Sequence, residues 1–306
     1  MSGSREADAR HPFHPSGTSP HVIECKEAFM SSTTPATVDP NRTRNRIFVG
    51  LGTAVIVATY LYLILAQPTE LAEGGLGTSA LIALAGYLIG AALIAVGAIH
   101  RLPTATLSLI PIAIVINIAV GQLAATLSLP VYLDSIGTVL VGVLAGPAAG
   151  AVTGALTNVI WGLTIGPIAL PFAVTAVVIG VLSGYAARLG MFRRFYLAPV
   201  AGFVTGIVAA LVSAPIAAFI FGGATSGGTG ALVAAFQAFG NSLLASTTLQ
   251  GLLSDPLDKT ITFTVVVLIL FALPGRLRSR FPFVRQYNVF GKVTPVAPAE
   301  PAAPKA

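Results

Sequence analysis

A carboxylate, an amide and two aromatic rings occur within a stretch of the chain that is otherwise apolar enough for lipid. Residues 129–163 read LPVYLDSIGTVLVGVLAGPAAGAVTGALTNVIWGL and contain Tyr132, Asp134, Asn158 and Trp161. These groups can hydrogen-bond and stack on a small organic molecule. A charge at membrane depth is tolerated only where it contacts protein or a water-filled cavity. We therefore interpret these four side chains as parts of a ligand pocket.

Two of these residues have simpler alternatives. A tryptophan near the end of a membrane helix is often an interfacial anchor, which applies to Trp161. An aspartate at the start of a helix often serves as its N-cap, which applies to Asp134. Asn158 lies about one helical turn before Trp161, so the two would share a face. A buried amide beside an aromatic ring and a carboxylate favours the pocket.

A second polar group precedes the last apolar run. Asp255, Asp258 and Lys259 stand in LLSDPLDK, after a segment that contains Gln237 and Asn241 about one turn apart. One interpretation is a rim or lid that hydrogen-bonds a polar solute, with Lys259 facing an anionic group on it. The alternative is local: Asp258 caps the following helix and pairs with Lys259. Asp255 and the two amides belong to the same candidate rim.

The amino-acid composition indicates the environment of these polar side chains. The chain has 306 residues, of which 55% are hydrophobic and 9% charged. Soluble domains carry about 25% charged residues. The sequence therefore predicts an all-α integral membrane protein. Its net charge of +6 needs no nucleic acid, because arginines that flank membrane helices explain it.

The apolar runs predict about eight transmembrane helices, each needing roughly 20 residues. Arginines mark the cytoplasmic side and place both termini there, with 222–258 outside. A weaker run, 231–253, is predicted not to cross, since a crossing would put the arginines after Gly275 outside. The predicted spans are 47–67, 76–99, 104–127, 134–146, 149–165, 171–187, 197–221 and 260–274.

The shortest of these spans predicts a helical hairpin. From Asp134 to Gly146 there are 13 residues, about 20 Å of helix, which is too short for a core of about 30 Å. Pro147 can begin the next helix, since its missing N–H costs nothing there. Gly150, Gly154 and other small residues recur every fourth position, which indicates close helix contact.

The domain prediction follows from composition. A disordered cytoplasmic tail (1–46) precedes two transmembrane helices (47–100), a six-helix core (101–285) and a Pro/Ala-rich tail (286–306). Met30 is an alternative start to Met1. We find no catalytic, nucleotide-binding or metal-binding motif, so we expect neither an enzyme nor a chain with its own cofactor or metal.

The region from about 103 to 275 resembles the S components of energy-coupling factor (ECF) transporters. The resemblance is closest at residues 129–163, and SAPIAAFIFGG (213–223) and LLSDPLDK (252–259) support it. It implies a six-helix substrate-binding subunit in a bacterial plasma membrane that captures a vitamin or vitamin precursor from outside. It also implies a transmembrane T component and two cytoplasmic ATPase subunits, which use the ATP, as partners.

The chain departs from that family in two respects. The helices predicted at 47–67 and 76–99 are additional. The AxxxA contact pattern of the first core helix is here Ala113, Asn117, Gly121 and Ala125. Two other functions stay open: a stand-alone secondary carrier, and a membrane sensor or scaffold. Tyr132, Trp161 and Phe172 favour an organic solute with a ring.

Overall fold

The structure is a computed structural model that describes residues 42–75, 77–98, 102–223, 225 and 227–291. The tail predictions for residues 1–41 and 292–306, including the choice between Met1 and Met30, lie outside the described residues. All regular structure among the described residues is helical, which confirms the all-α prediction.

We number the α-helices in chain order, and one 3₁₀ helix follows α6. They are α1 (Arg42–Ala66), α2 (Thr69–Ala72), α3 (Thr78–Ala98), α4 (Thr104–Thr126), α5 (Ile136–Ala145), α6 (Pro147–Thr164), the 3₁₀ helix (Pro167–Phe172), α7 (Ala173–Arg188), α8 (Leu197–Phe219), α9 (Gly227–Ala238), α10 (Leu243–Ala272), α11 (Gly275–Arg278) and α12 (Pro282–Tyr287).

Five segments of the described chain are long and apolar enough to cross a membrane, as predicted for a multi-pass membrane protein. They are Thr43–Ala66, Thr78–Ala98, Thr104–Thr126, Pro167–Arg188 and Leu197–Phe219. The full count of eight spans stays a prediction. Helix α5 has only 10 residues, and α10 carries three charged side chains in its middle.

The break between α5 and α6 lies within the predicted hairpin turn. Gly146 has φ +97°, a conformation that L-residues with a side chain rarely adopt, and Pro147 is the first residue of α6. Glycine reaches positive φ without steric cost, and proline fits the first helical turn. The Gly-Pro pair therefore ends one helix and starts the next.

Helix α10 corrects the sequence analysis. We predicted that the last span starts near Asp258, but the helix starts at Leu243 and continues to Ala272 as one helix of 30 residues. The position of 222–258 outside the membrane stays a prediction. It runs antiparallel to α8. A Cβ built on Gly202 would contact Lys259, and one on Gly206 would contact Asp255. Asp255 and Lys259 therefore lie beside the N-terminal half of α8, a helix long and apolar enough to cross a membrane.

The error has a physical cause. The polar residues that interrupt the weak run 231–253 are, where they belong to α10, mostly turned into the protein. Ser246, Thr247 and Gln250 are buried, and so is Ser254 just after that run. A polar side chain that faces protein does not oppose membrane insertion as one facing lipid does.

Helices α1 and α3 share an apolar core with the rest of the protein. Ile56, Leu63 and Tyr87 belong to the same buried cluster as residues of α6, α7 and α8. The Tyr87 hydroxyl donates a hydrogen bond to the carbonyl of Pro171 at 3.2 Å. The additional helices therefore contact the segment that follows α6.

The arginine distribution leads to a topology prediction. Gln237 on α9 and Ser279 after α11 are both exposed, and α10 between them is a single helix. In a Cys25→Ala background, we expect an impermeant thiol reagent to label Gln237→Cys in intact cells and Ser279→Cys only after permeabilisation. Equal labelling of both sites in intact cells would contradict the predicted orientation.

Candidate functional site

A cavity of about 320 Å³ lies among the helices. Its lining comes from α4, the loop before α5, α6, the 3₁₀ helix, α7, α8 and α10, together with Thr225. Apolar residues such as Ile165 and Ala209 make up much of the surface. A small number of polar side chains and three aromatic rings complete it.

Six of the nine predicted site residues line this cavity. They are Tyr132, Asp134, Asn158, Trp161, Asp255 and Lys259. Phe172, which we had associated with a ring-shaped solute, also lines it. The two polar groups of the sequence analysis, about 125 residues apart along the chain, therefore form one site.

Trp161 lines the cavity rather than serving only as an interfacial anchor. A Cβ built on Gly121 of α4 would lie 2.5 Å from the Trp161 ring and 2.9 Å from Cβ of Asp134. The absent side chain at Gly121 thus leaves room for both residues at one point of the cavity. This close approach requires glycine at that position of α4.

Lys259 is the centre of an ion-pair network beside the cavity. Its Nζ donates to Asp134 Oδ1 at 3.2 Å, to Ser135 Oγ at 2.8 Å and to Asp258 Oδ2. An ammonium group has three N–H donors. All three have acceptors within the chain, and an anionic group on a solute would compete with them. The expectation that Lys259 faces such a group stays a prediction.

Asp258 does not cap a helix, contrary to the alternative we considered. It lies in the middle of α10, it is fully buried, and it is absent from the cavity lining. Its Oδ1 accepts a hydrogen bond from the backbone N–H of Leu133 at 2.8 Å. Leu133 has φ +51°, which is uncommon for a residue of this size. Asp258 therefore holds the loop that carries Tyr132 and Asp134.

The structure does not bring Gln237 and Asn241 to the cavity, where we had predicted a rim or lid. Both side chains are exposed, and neither lines the cavity. Helix α9 ends at Ala238, and Gly240 follows with φ +88°. The four-residue spacing therefore does not place the two amides on one helical face. Asn241 instead donates to the carbonyl of Phe236 at 3.0 Å.

Asp255 is buried at the cavity surface with only 4% of its area exposed. Its Oδ2 accepts a hydrogen bond from Ser213 Oγ at 3.3 Å. Within the described part of the chain, no lysine, arginine or histidine forms an ion pair with it. Asp255 therefore differs from Asp134 and Asp258, which share Lys259.

The predicted site residues did not include four polar residues of the cavity: Gln122, Thr175, Ser213 and Thr225. Ser213 begins the quoted segment SAPIAAFIFGG, which was the available signal. Thr175 gave none, since a threonine in an apolar helix usually bonds to its own backbone. Here the Thr175 hydroxyl is buried and has no hydrogen-bond partner among the described residues.

Asn117 has a structural role. Its Nδ2 donates to Thr138 Oγ1 at 2.8 Å and to Thr157 Oγ1 at 3.0 Å, while its Oδ1 accepts from the Gly137 backbone at 2.6 Å. It therefore joins α4 to the start of α5 and to α6. Ala113 and Gly121 are also buried, so three of the four positions of the AxxxA-like pattern face the protein interior.

The comparisons add no relative to this description. No protein-family model, no curated protein and no solved structure matches the chain.

Proposed function

We propose that this chain is the membrane-embedded substrate-binding subunit of an ECF-type importer. It captures a small organic solute, of the vitamin or vitamin-precursor class, from the outer side of a bacterial plasma membrane. The observation that carries the proposal is a cavity whose aromatic and polar lining comes mainly from the segments that carry the family resemblance.

The dimensions of the cavity support a small solute. Its volume of about 320 Å³ lies at the lower end of the roughly 300–1,000 Å³ typical of small-molecule sites. Trp161, Tyr132 and Phe172 supply faces on which a ring can stack. Asn158 and Asp255 supply polar atoms that can fix the orientation of the solute.

Energy for import comes, in this proposal, from partners. The partners are a transmembrane T component and two cytoplasmic ATPase subunits, and both termini of this chain are cytoplasmic. The chain itself binds no cofactor and catalyses no reaction. Its task is to present the occupied cavity to the T component.

The test separates binding from transport. We expect the purified chain to bind its solute without ATP, and vesicles to accumulate the solute only when the T component, the ATPases and ATP are present. A Walker-lysine variant of each ATPase is the matched control. Accumulation by this chain alone, driven by an ion gradient, would establish a secondary carrier instead. Binding without any accumulation in the complete system would favour a sensor.

Asp134 provides a residue-level prediction. Asp134→Asn keeps the shape but removes one of the two negative partners of Lys259. In this proposal the solute also donates a charge-assisted hydrogen bond to Asp134, which lines the cavity. Loss of such a bond typically costs about 1.5–3 kcal/mol, so we expect solute affinity to fall roughly ten- to a hundredfold. Calorimetry with the solute identified by thermal-shift screening measures this. Unchanged affinity would remove Asp134 from the site, and Glu70→Gln, which changes the same charge away from the cavity, is the control.

A further inference from the structure

The charges around the cavity are unequal. Asp134, Asp255 and Asp258 supply three carboxylates, and Lys259 supplies one ammonium group. Asp134 and Asp258 both contact that ammonium. Among the described residues, Ser213 is the hydrogen-bond donor to Asp255. In the described part of the chain, Lys259 is therefore near enough to act on this third carboxylate electrostatically but forms no ion pair with it.

Lys259 cannot also bond to Asp255 without giving up another partner. Its three N–H groups already have acceptors in Asp134, Ser135 and Asp258. The cluster formed by Lys259 and its two aspartates has one more negative than positive charge when ionised. The net negative charge of this cluster has the same sign as an ionised Asp255, so the cluster does not neutralise that carboxylate.

A buried ionised carboxylate is costly unless it is paired, and otherwise it becomes protonated. One hydroxyl donor does not replace a cation. Asp255 is nevertheless placed at the surface of a cavity, where a bound molecule reaches it. Within the described chain, the other titratable groups near it are Asp134, Asp258, Lys259 and Tyr132.

Two independent features of the cavity point to an occupant. Thr175 lines the cavity, and its buried hydroxyl, which can donate or accept, has no hydrogen-bond partner among the described residues. The rings of Trp161, Tyr132 and Phe172 line it as well. Aromatic faces attract cations, most strongly when the contact excludes water. The aromatic rings and Asp255 therefore both favour a positively charged group on the solute.

We propose that the solute carries a positive charge, as a protonated amine or a cationic ring, and that this group binds against Asp255 in the aromatic cavity. The inference rests on the proposed function, because it names the class of solute that the binding subunit captures. The sequence analysis expected the opposite charge on the solute, an anionic group facing Lys259.

The test uses the full purified chain and the small-molecule fraction of yeast extract below about one kilodalton. A sulfonate cation exchanger at neutral pH and an anion exchanger divide this extract into cationic, anionic and neutral pools. Each pool is added to the wild-type chain, to Asp255→Asn and to Glu70→Gln, and the melting temperature is measured. A ligand that binds only the folded state raises that temperature.

We expect the cationic pool to raise the melting temperature of the wild-type chain and of Glu70→Gln by the same amount. Asp255→Asn keeps an acceptor for Ser213, so it should fold, and it should lose most of the shift. A follow-up titration with the fractionated cation should show affinity at least roughly tenfold weaker.

The remaining outcomes overturn the inference in distinguishable ways. A shift only with the anionic or neutral pool would reject a cationic solute and leave the binding function standing. An equal shift in wild type and Asp255→Asn would remove Asp255 from the site. No shift with any pool would count against both proposals. If Asp255→Asn yields no folded protein, the wild-type response to the three pools alone decides the charge of the solute.

Discussion

Replacing Lys259 with methionine is expected to lower the free energy of unfolding by about 3–5 kcal/mol, the range measured when one partner of a buried ion pair is removed. Methionine has a similar length and no charge. The substitution leaves the fully buried Asp258 without its cation. It also releases Asp134, which is one-third exposed and can reach water more easily.

Unfolding of the protein in detergent micelles by titration with sodium dodecyl sulfate measures this change in the free energy of unfolding. Trp161 is the only tryptophan, so its fluorescence reports on the cavity region as the protein unfolds. Arg280→Met is the control, because it makes a comparable change at an exposed position, where substitutions usually stay within about 0.5 kcal/mol.

A second variant separates charge from packing. Asp258→Asn combined with Lys259→Met removes both buried charges and keeps an acceptor for the Leu133 N–H. If the unpaired carboxylate causes the loss, the double variant should recover much of it, as expected when a buried pair is replaced as a unit. Equal losses in the single and the double variant would show that the packing of the lysine stem, not its charge, stabilises this region.

Local chemistry explains which parts of this fold were predictable. The Gly146–Pro147 pair has consequences within its own turn, since glycine adopts positive φ and proline starts a helix. The hairpin prediction needed no knowledge of distant residues. The membrane character likewise follows from composition, and five long apolar helices agree with it.

The start of helix α10 was not predictable from local sequence. Hydropathy sums the residues of a segment and does not distinguish polar groups facing protein from polar groups facing water. Ser246, Thr247 and Gln250 are buried by packing against other helices. Asp255, Asp258 and Lys259 belong to the middle of α10, at a depth that depends on the antiparallel contact with α8.

The candidate site was also predictable only in part. The residue types of Tyr132, Asp134 and Trp161 indicated a pocket, and the structure brings them together. Two partners of Lys259, Asp134 and Ser135, are about 125 positions away in sequence, and no spacing rule reaches that far. Conversely, Gln237 and Asn241 were grouped by a spacing that assumes a continuous helix, and Gly240 interrupts it.

Alanine at Gly150 is expected to destabilise the protein by about 3 kcal/mol, at the upper end of the usual range for overpacked contacts. The backbones of α6 and α7 touch at this point. A Cβ on Gly150 would lie 2.5 Å from the carbonyl oxygen of Gly180 and 2.9 Å from Cα of Gly142. These atoms belong to helix backbones and cannot rotate away, so the helices must separate.

Gly50→Ala is the matched control for this substitution. Gly50 also lies in a helix, α1, and a Cβ there would have no neighbour within 4 Å. Both substitutions gain helix propensity, worth up to about 1 kcal/mol, so their difference isolates the contact between α6 and α7. Separation of these helices also moves Asn158 relative to Thr175, which should weaken solute binding in Gly150→Ala alone. Equal stability of the two variants would show that α6 and α7 do not pack backbone to backbone.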